Sequence, residues 1–93
     1  MEDNLISSYN LTAYPNPFNP STVIKFQLEK ESLIELSIYN SKGQEVVKLH
    51  SGKLRKGIHT YTFDGGEVSS GIYFCRLVSD GVLAARKKIV LLK

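Results

Sequence analysis

Two histidines, one cysteine and nine carboxylate side chains are what this chain of 93 residues offers for chemistry. His50 and His59 stand in unrelated contexts and Cys75 is alone, so the ligand spacing of a zinc site is absent. A nucleophilic cysteine needs a neighbouring base; Cys75 has none in sequence and reads as a small buried apolar residue. A single cysteine also forbids an internal disulfide. Asp64, Glu67 and Asp80 lack the spacing of a dedicated calcium loop and read as turn residues. Ser69-Ser70-Gly71 has no strand-turn-helix context for a nucleophile elbow; Gly71 is expected to supply an unusual φ where a strand begins. Gly65-Gly66 is a turn and not a phosphate cradle, because no helix follows it. No metal, cofactor or catalytic residue is assigned.

The basic groups are small. Lys53, Arg55 and Lys56 form one, and Arg86, Lys87 and Lys88 another. Binding of nucleic acid asks for clustered cations with exposed aromatics. Strand alternation instead sends Lys87 to one face and Arg86 and Lys88 to the other, as expected of a solvated strand. Lysines there also discourage edge-to-edge aggregation. The net charge of +3 is mildly basic and favours an acidic partner or surface. Asn10-Leu11-Thr12 fits the glycosylation pattern, a three-residue match common by chance.

The elements that must position these residues are strands. Ninety-three residues with 42% hydrophobic content make one domain with one modest core. Apolar runs such as Ile89 to Leu92 fall far short of the roughly 20 residues that span a bilayer. Met1 to Ile6 is acidic and lacks the pattern of a secretory signal. Met1 to Ser8 reads as a polar linker behind an added start codon, and the chain as excised from a longer precursor.

The hydrophobic pattern has period two throughout. Tyr9 to Tyr14 predicts a first strand. Ile24, Phe26 and Leu28 share one face of a second, with Lys25 and Gln27 opposite. Ile34, Leu36 and Ile38 repeat the device against Glu35 and Ser37. Ser41-Lys42-Gly43 predicts a tight hairpin, and Gln44 to Leu49 its return strand. Ser51 to Gly57 reads as a basic loop, and Ile58 to Phe63 as a strand with Tyr61 and Phe63 inward. Ile72 to Val78, the Asp80-Gly81 turn and Val82 to Leu92 complete about seven strands. The fold expected is a single all-β, Ig-like antiparallel β-sandwich spanning residues 9–93. Tyr73-Phe74-Cys75 resembles an antibody strand, but the second cysteine and any tryptophan are missing.

The two ends carry the most specific patterns. Tyr14-Pro15-Asn16-Pro17-Phe18-Asn19-Pro20 stands near the start, and Lys87-Lys88-Ile89-Val90-Leu91-Leu92-Lys93 closes the chain. Between them come Ile38-Tyr39-Asn40, Gly43-Gln44-Glu45-Val46, Gly57-Ile58-His59 and Ser70-Gly71-Ile72-Tyr73-Phe74. In this order the blocks resemble the type A C-terminal sorting domain of the type IX secretion system, known from the Bacteroidetes and related phyla. They are also similar to the Ig-like domain of the flagellar hook-capping protein. The family often carries tryptophan where Phe63 stands, and tyrosine or another apolar residue where Cys75 stands.

The resemblance implies a monomeric address carried by a covalently fused cargo. That cargo would cross the periplasm, meet an outer-membrane translocon, and reach the cell surface or medium. A sortase-like peptidase would remove the domain and join the cargo to an anionic lipopolysaccharide. The sorting motif would comprise Tyr14 through Pro20, Gly71, Tyr73 and Lys87 through Lys93. An edge position would leave the last strand open to strand addition by a receptor, with Lys87 to Lys93 contributing less to folding than the central strands. The proline segment would be a stiff lead-in. The alternative is a non-catalytic accessory module, structural or carbohydrate-binding, for which Tyr9, Tyr14, Phe18 and Tyr39 are the candidate solvent-facing aromatics.

Overall fold

Alternating residues can bury one face only if a second sheet covers it, and the chain builds two. A computed structural model describes residues 9–93, so the linker expected over residues 1–8 lies outside the described residues. The strands are β1 (Thr12–Tyr14), β2 (Ser21–Leu28), β3 (Ser32–Asn40), β4 (Glu45–Leu54), β5 (Gly57–Asp64), β6 (Gly71–Ser79) and β7 (Val82–Leu91). They form a three-stranded sheet in the order β1-β2-β5 and a four-stranded sheet in the order β4-β3-β6-β7. Every pairing between named strands is antiparallel. This is the expected β-sandwich, with β7 at an edge.

The core is the set that period two selects. Ile24, Phe26 and Leu28 of β2 face Ile34, Leu36 and Ile38 of β3, with Phe63, Tyr73, Cys75, Leu77, Ile89 and Leu91 closing the layer. Phe26 stacks on Tyr61 and His59 of the adjacent β5, with ring centroids 6.2 and 5.6 Å away. Both predicted hairpins form. Asp80 and Gly81 have φ of 51° and 84°, the pair of positive angles that a type I′ turn requires. Gly43 takes φ 82°, and Asn40 Oδ1 accepts from the Lys42 and Gln44 amides to close that turn.

Three local expectations need correction. The first strand is short: Tyr9 accepts one backbone bond from Gln27, but Asn10 has φ 48°, which interrupts pairing until Thr12. The basic loop expected from Ser51 to Gly57 is mostly strand. β4 continues to Leu54, pairing with β3 as far as Ser32, and leaves only Arg55 and Lys56 as the connection. The ladder and the packing of Leu54 against the core outweigh the loop-like composition. Ser37, expected on a solvent face, is buried; β3 is a central strand, and a bulge sits between Leu36 and Ser37.

Candidate functional site

Prolines at 15, 17 and 20 deny the segment before β2 half of its backbone donors. It cannot run as an ordinary strand, yet it lies along the outer edge of β7. The Tyr14-Pro15, Asn16-Pro17 and Asn19-Pro20 bonds are all cis. The Asn16 side chain takes the place of a peptide unit: its Nδ2 donates to the Lys88 carbonyl at 2.9 Å, and its Oδ1 accepts from the Val90 amide at 3.0 Å. Two residues on, the backbone takes over. The Phe18 amide donates to the Val90 carbonyl at 2.9 Å, and the Leu92 amide donates to the Phe18 carbonyl at 3.0 Å. The pairing of Phe18 with Leu91 is parallel. The Thr22 hydroxyl anchors the segment by donating to the Pro15 carbonyl at 2.7 Å.

The packing beneath this clamp is dense. Phe18 is 2% exposed and its ring meets Phe63 at 5.7 Å, which in turn meets Tyr73 at 6.1 Å. The Tyr73 hydroxyl donates to the Ser69 carbonyl at 2.6 Å. The Gly65 amide donates to the Pro20 carbonyl at 2.7 Å. A Cβ on Gly65 would stand 2.8 Å from Leu91 Cδ2, so only glycine lets the loop come this close. Lys93 finishes the seam: its amide donates to Ser70 Oγ at 2.9 Å and its ammonium to the Gly66 carbonyl at 2.8 Å.

Thus the fold brings together Asn16, Phe18, Pro20, Tyr73, Lys88, Ile89, Val90, Leu91, Leu92 and Lys93, with Gly71 paired to Leu91. Tyr14 stands apart, 81% exposed on the outer face of the three-stranded sheet. Asn19 is exposed. Lys87 pairs with buried Cys75 yet is itself exposed, an inward-directed charge of the kind that protects sheet edges. Gly65 and Ser70 belong to the seam and were not singled out; the glycine pair looked like an ordinary turn because its neighbour Leu91 is remote in sequence.

The clamp overturns three expectations. Edge position does not leave the end of β7 open, because Asn16 and Phe18 already occupy its edge from Lys88 to Leu92. Lys87 to Lys93 nonetheless supplies core side chains, because Ile89 and Leu91 are 0% exposed. The proline segment is not a mere lead-in, since it is hydrogen-bonded to the last strand. Phe18 is not a solvent-facing aromatic.

The residues considered for chemistry serve structure. His50 Nε2 lies 3.3 Å from the Gly52 carbonyl, and His59 Nε2 lies 2.7 Å from that of Arg55. Asp64 and Asp80 accept from the Gly66 and Leu33 amides. Among the described residues, no group of three or more His, Cys, Asp and Glu side chains could hold a metal ion, and no helix is long and apolar enough to cross a membrane.

The fold is a two-sheet β-sandwich whose first and last segments are sewn together. The chain belongs to the secretion system C-terminal sorting domain family, whose model matches residues 12–92. It is a C-terminal sorting signal for type IX secretion. Such a domain is an address and not a catalyst; it marks an exported protein and engages the type IX machinery. Among solved structures, the chain is similar to the alkylpurine DNA glycosylase AlkC of Pseudomonas fluorescens, bound to DNA containing an abasic site analog. The TM-score is 0.58 at 17% identity, over 89% of this chain and 29% of that one. That likeness is one of fold alone. No curated protein matches the chain.

Proposed function

We propose that the type IX machinery reads this domain as a folded object, at the end where Asn16 and Phe18 clamp the last strand. The observation that carries this reading is the bonding of Asn16 and Phe18 to Lys88, Val90 and Leu92. It unites in one surface the two segments that define the family resemblance. In this reading the sorting motif is Tyr14 through Pro20, Gly71, Tyr73 and Lys87 through Lys93, centred on the clamp. Asn16, Lys88, Leu92 and Lys93 are exposed at the clamp and Tyr14 is exposed apart from it; buried Phe18, Ile89 and Leu91 hold its shape.

The outer-membrane translocon then admits a passenger joined ahead of the domain, after transit through the periplasm. A sortase-like peptidase releases the domain and attaches the passenger to anionic lipopolysaccharide at the cell surface. Supporting this order of events, Tyr9 bonds beside Leu28 while Lys93 bonds to Gly66 and Ser70, at opposite ends of β2. A passenger at the first end leaves the clamped end free to be read.

The test fuses the full chain behind a signal peptide and a reporter, in a host that has the type IX system. Lys93→Ala and Lys88→Ala alter exposed groups at the patch; Ile58→Ala, at the far end of β5, is the control. The expected result is wild-type melting for all three, with surface delivery reduced several-fold only for the first two. Equal delivery by all three would overturn the reading of this patch. Mass spectrometry of the delivered reporter tests the cleavage step, which predicts loss of residues 9–93 and a heterogeneous gain in mass.

A further inference from the structure

The outward face of the four-stranded sheet breaks a rule that the rest of the molecule keeps. Arg76 of β6 and Arg86 of β7 are direct cross-strand partners, and like charges so placed repel. Neither strand contains an acidic residue. Of the carboxylates on the same face, Glu35 lies 3.7 Å from Lys48 Nζ, and Glu45 accepts from the Tyr39 hydroxyl at 3.3 Å. Lys88, opposite Phe74, adds a third cation.

Each guanidinium rests on an aromatic ring. Arg76 lies 4.9 Å from the centroid of Tyr39, and Arg86 lies 5.2 Å from that of Phe74. Tyr39 and Phe74 are themselves partners, in the row two residues beyond the arginine pair. Both arginines therefore lean the same way along the sheet, from neighbouring strands about 5 Å apart. The attraction of cation for ring fixes that direction. Two planar forks are thus held side by side. They border a depression of about 390 Å³ that is also lined by Ser41, Phe74 and Leu83.

We propose that this depression binds a phosphate monoester carried on a sugar-sized body. A phosphomonoester presents three acceptor oxygens and a charge of about −1.5 to −2. It can engage both forks at once and cancel their repulsion. A carboxylate offers two oxygens and satisfies a single fork. The depression falls within the range of small-molecule sites, roughly 300 to 1,000 Å³. The Ser41 hydroxyl is placed for a sugar hydroxyl, and Phe74 and Leu83 supply apolar flanks. The inference stands on this face alone and does not depend on how the clamped end is read.

The test titrates the full chain, labelled with nitrogen-15, at constant ionic strength. The probes are glucose 6-phosphate, glucose, inorganic phosphate and a tetraglutamate peptide. Glucose 6-phosphate is expected to shift the amides of Ser41, Arg76 and Arg86 saturably. Glucose is expected to shift none, and inorganic phosphate the same amides with weaker affinity. Arg86→Gln should weaken glucose 6-phosphate binding on the order of tenfold. Arg86→Lys, which keeps the charge but not the fork, should weaken it about threefold. In thermal melts, glucose 6-phosphate should stabilise the wild type more than it stabilises Arg86→Gln at the same concentration. No saturable shift, or an unchanged affinity in Arg86→Gln, would overturn the proposal. Tighter binding of tetraglutamate than of glucose 6-phosphate would also overturn it, in favour of an acidic protein segment.

Discussion

At Asn16 a side-chain amide does what a peptide unit does elsewhere on a sheet edge. Its donor and acceptor match the Lys88 carbonyl and Val90 amide, between prolines that have no N–H to donate. Asn16→Ala should cost about 1 kcal/mol in urea denaturation, and the Val90 amide should exchange with solvent faster than its neighbours. Cys75 makes a different kind of prediction. Burial pushes its thiol from an ordinary 9.0 up to about 12. The folded chain therefore holds this proton more tightly than the unfolded chain does. That contribution to stability is complete below pH 9 and is lost as pH rises toward 12. Urea midpoints should fall more between pH 8 and pH 10 for the wild type than for Cys75→Ala. At pH 8 a thiol reagent should label the native protein only as fast as it unfolds.

Among the elements, the segment from Pro15 to Pro20 behaves as an eighth structural piece without being a strand. Phe18 is as buried as the core residues of β2. Phe18→Ala should cost roughly 3–5 kcal/mol, in the range expected for Phe26→Ala. A loss near zero would mean that the segment is not docked. Gly65→Ala forces Leu91 to move from a contact of 2.8 Å, and should cost roughly 1–3 kcal/mol in the same assay. β7 carries two fully buried side chains, Ile89 and Leu91. Each contributes on the scale of a core truncation, against a total of only about 5–15 kcal/mol for a domain. Deleting Lys87 to Lys93 should therefore abolish the cooperative melt seen by circular dichroism, and export with it.

Residues 9–93 extend 37 Å along their longest axis and are polarised along the strands. One end holds the Asp80-Gly81 hairpin and the approach from Tyr9. The other holds the clamp, the Gly65 to Ser70 loop and the last residue. Because Lys93 bonds into that loop through its amide and its ammonium, the end of the chain is part of a surface and not a loose tail. A short histidine tag added after Lys93 should leave the melting temperature unchanged, since no core group is touched. In the reporter assay it should lower surface delivery, by covering the patch. Unchanged delivery by the tagged domain would move recognition away from this end.

Period-two alternation determined which side chains face inward on β2, β3 and β6, because that choice is made residue by residue. Glycine chemistry likewise determined the hairpins at Gly43 and Gly81, which close within four residues. The ordered blocks from Tyr14 to Lys93 were enough to indicate the family. What alternation does not encode is which neighbour an edge will have. Asn16 meets Lys88 and Val90 across 72 and 74 residues, and only the packing of two sheets brings them into register. The same register sets Arg76 against Arg86, a pairing invisible in a list of scattered basic residues. It also lengthened β4 and buried Ser37, against their local composition. Face is a local property of the chain; partnership is decided when the sheets close on one core.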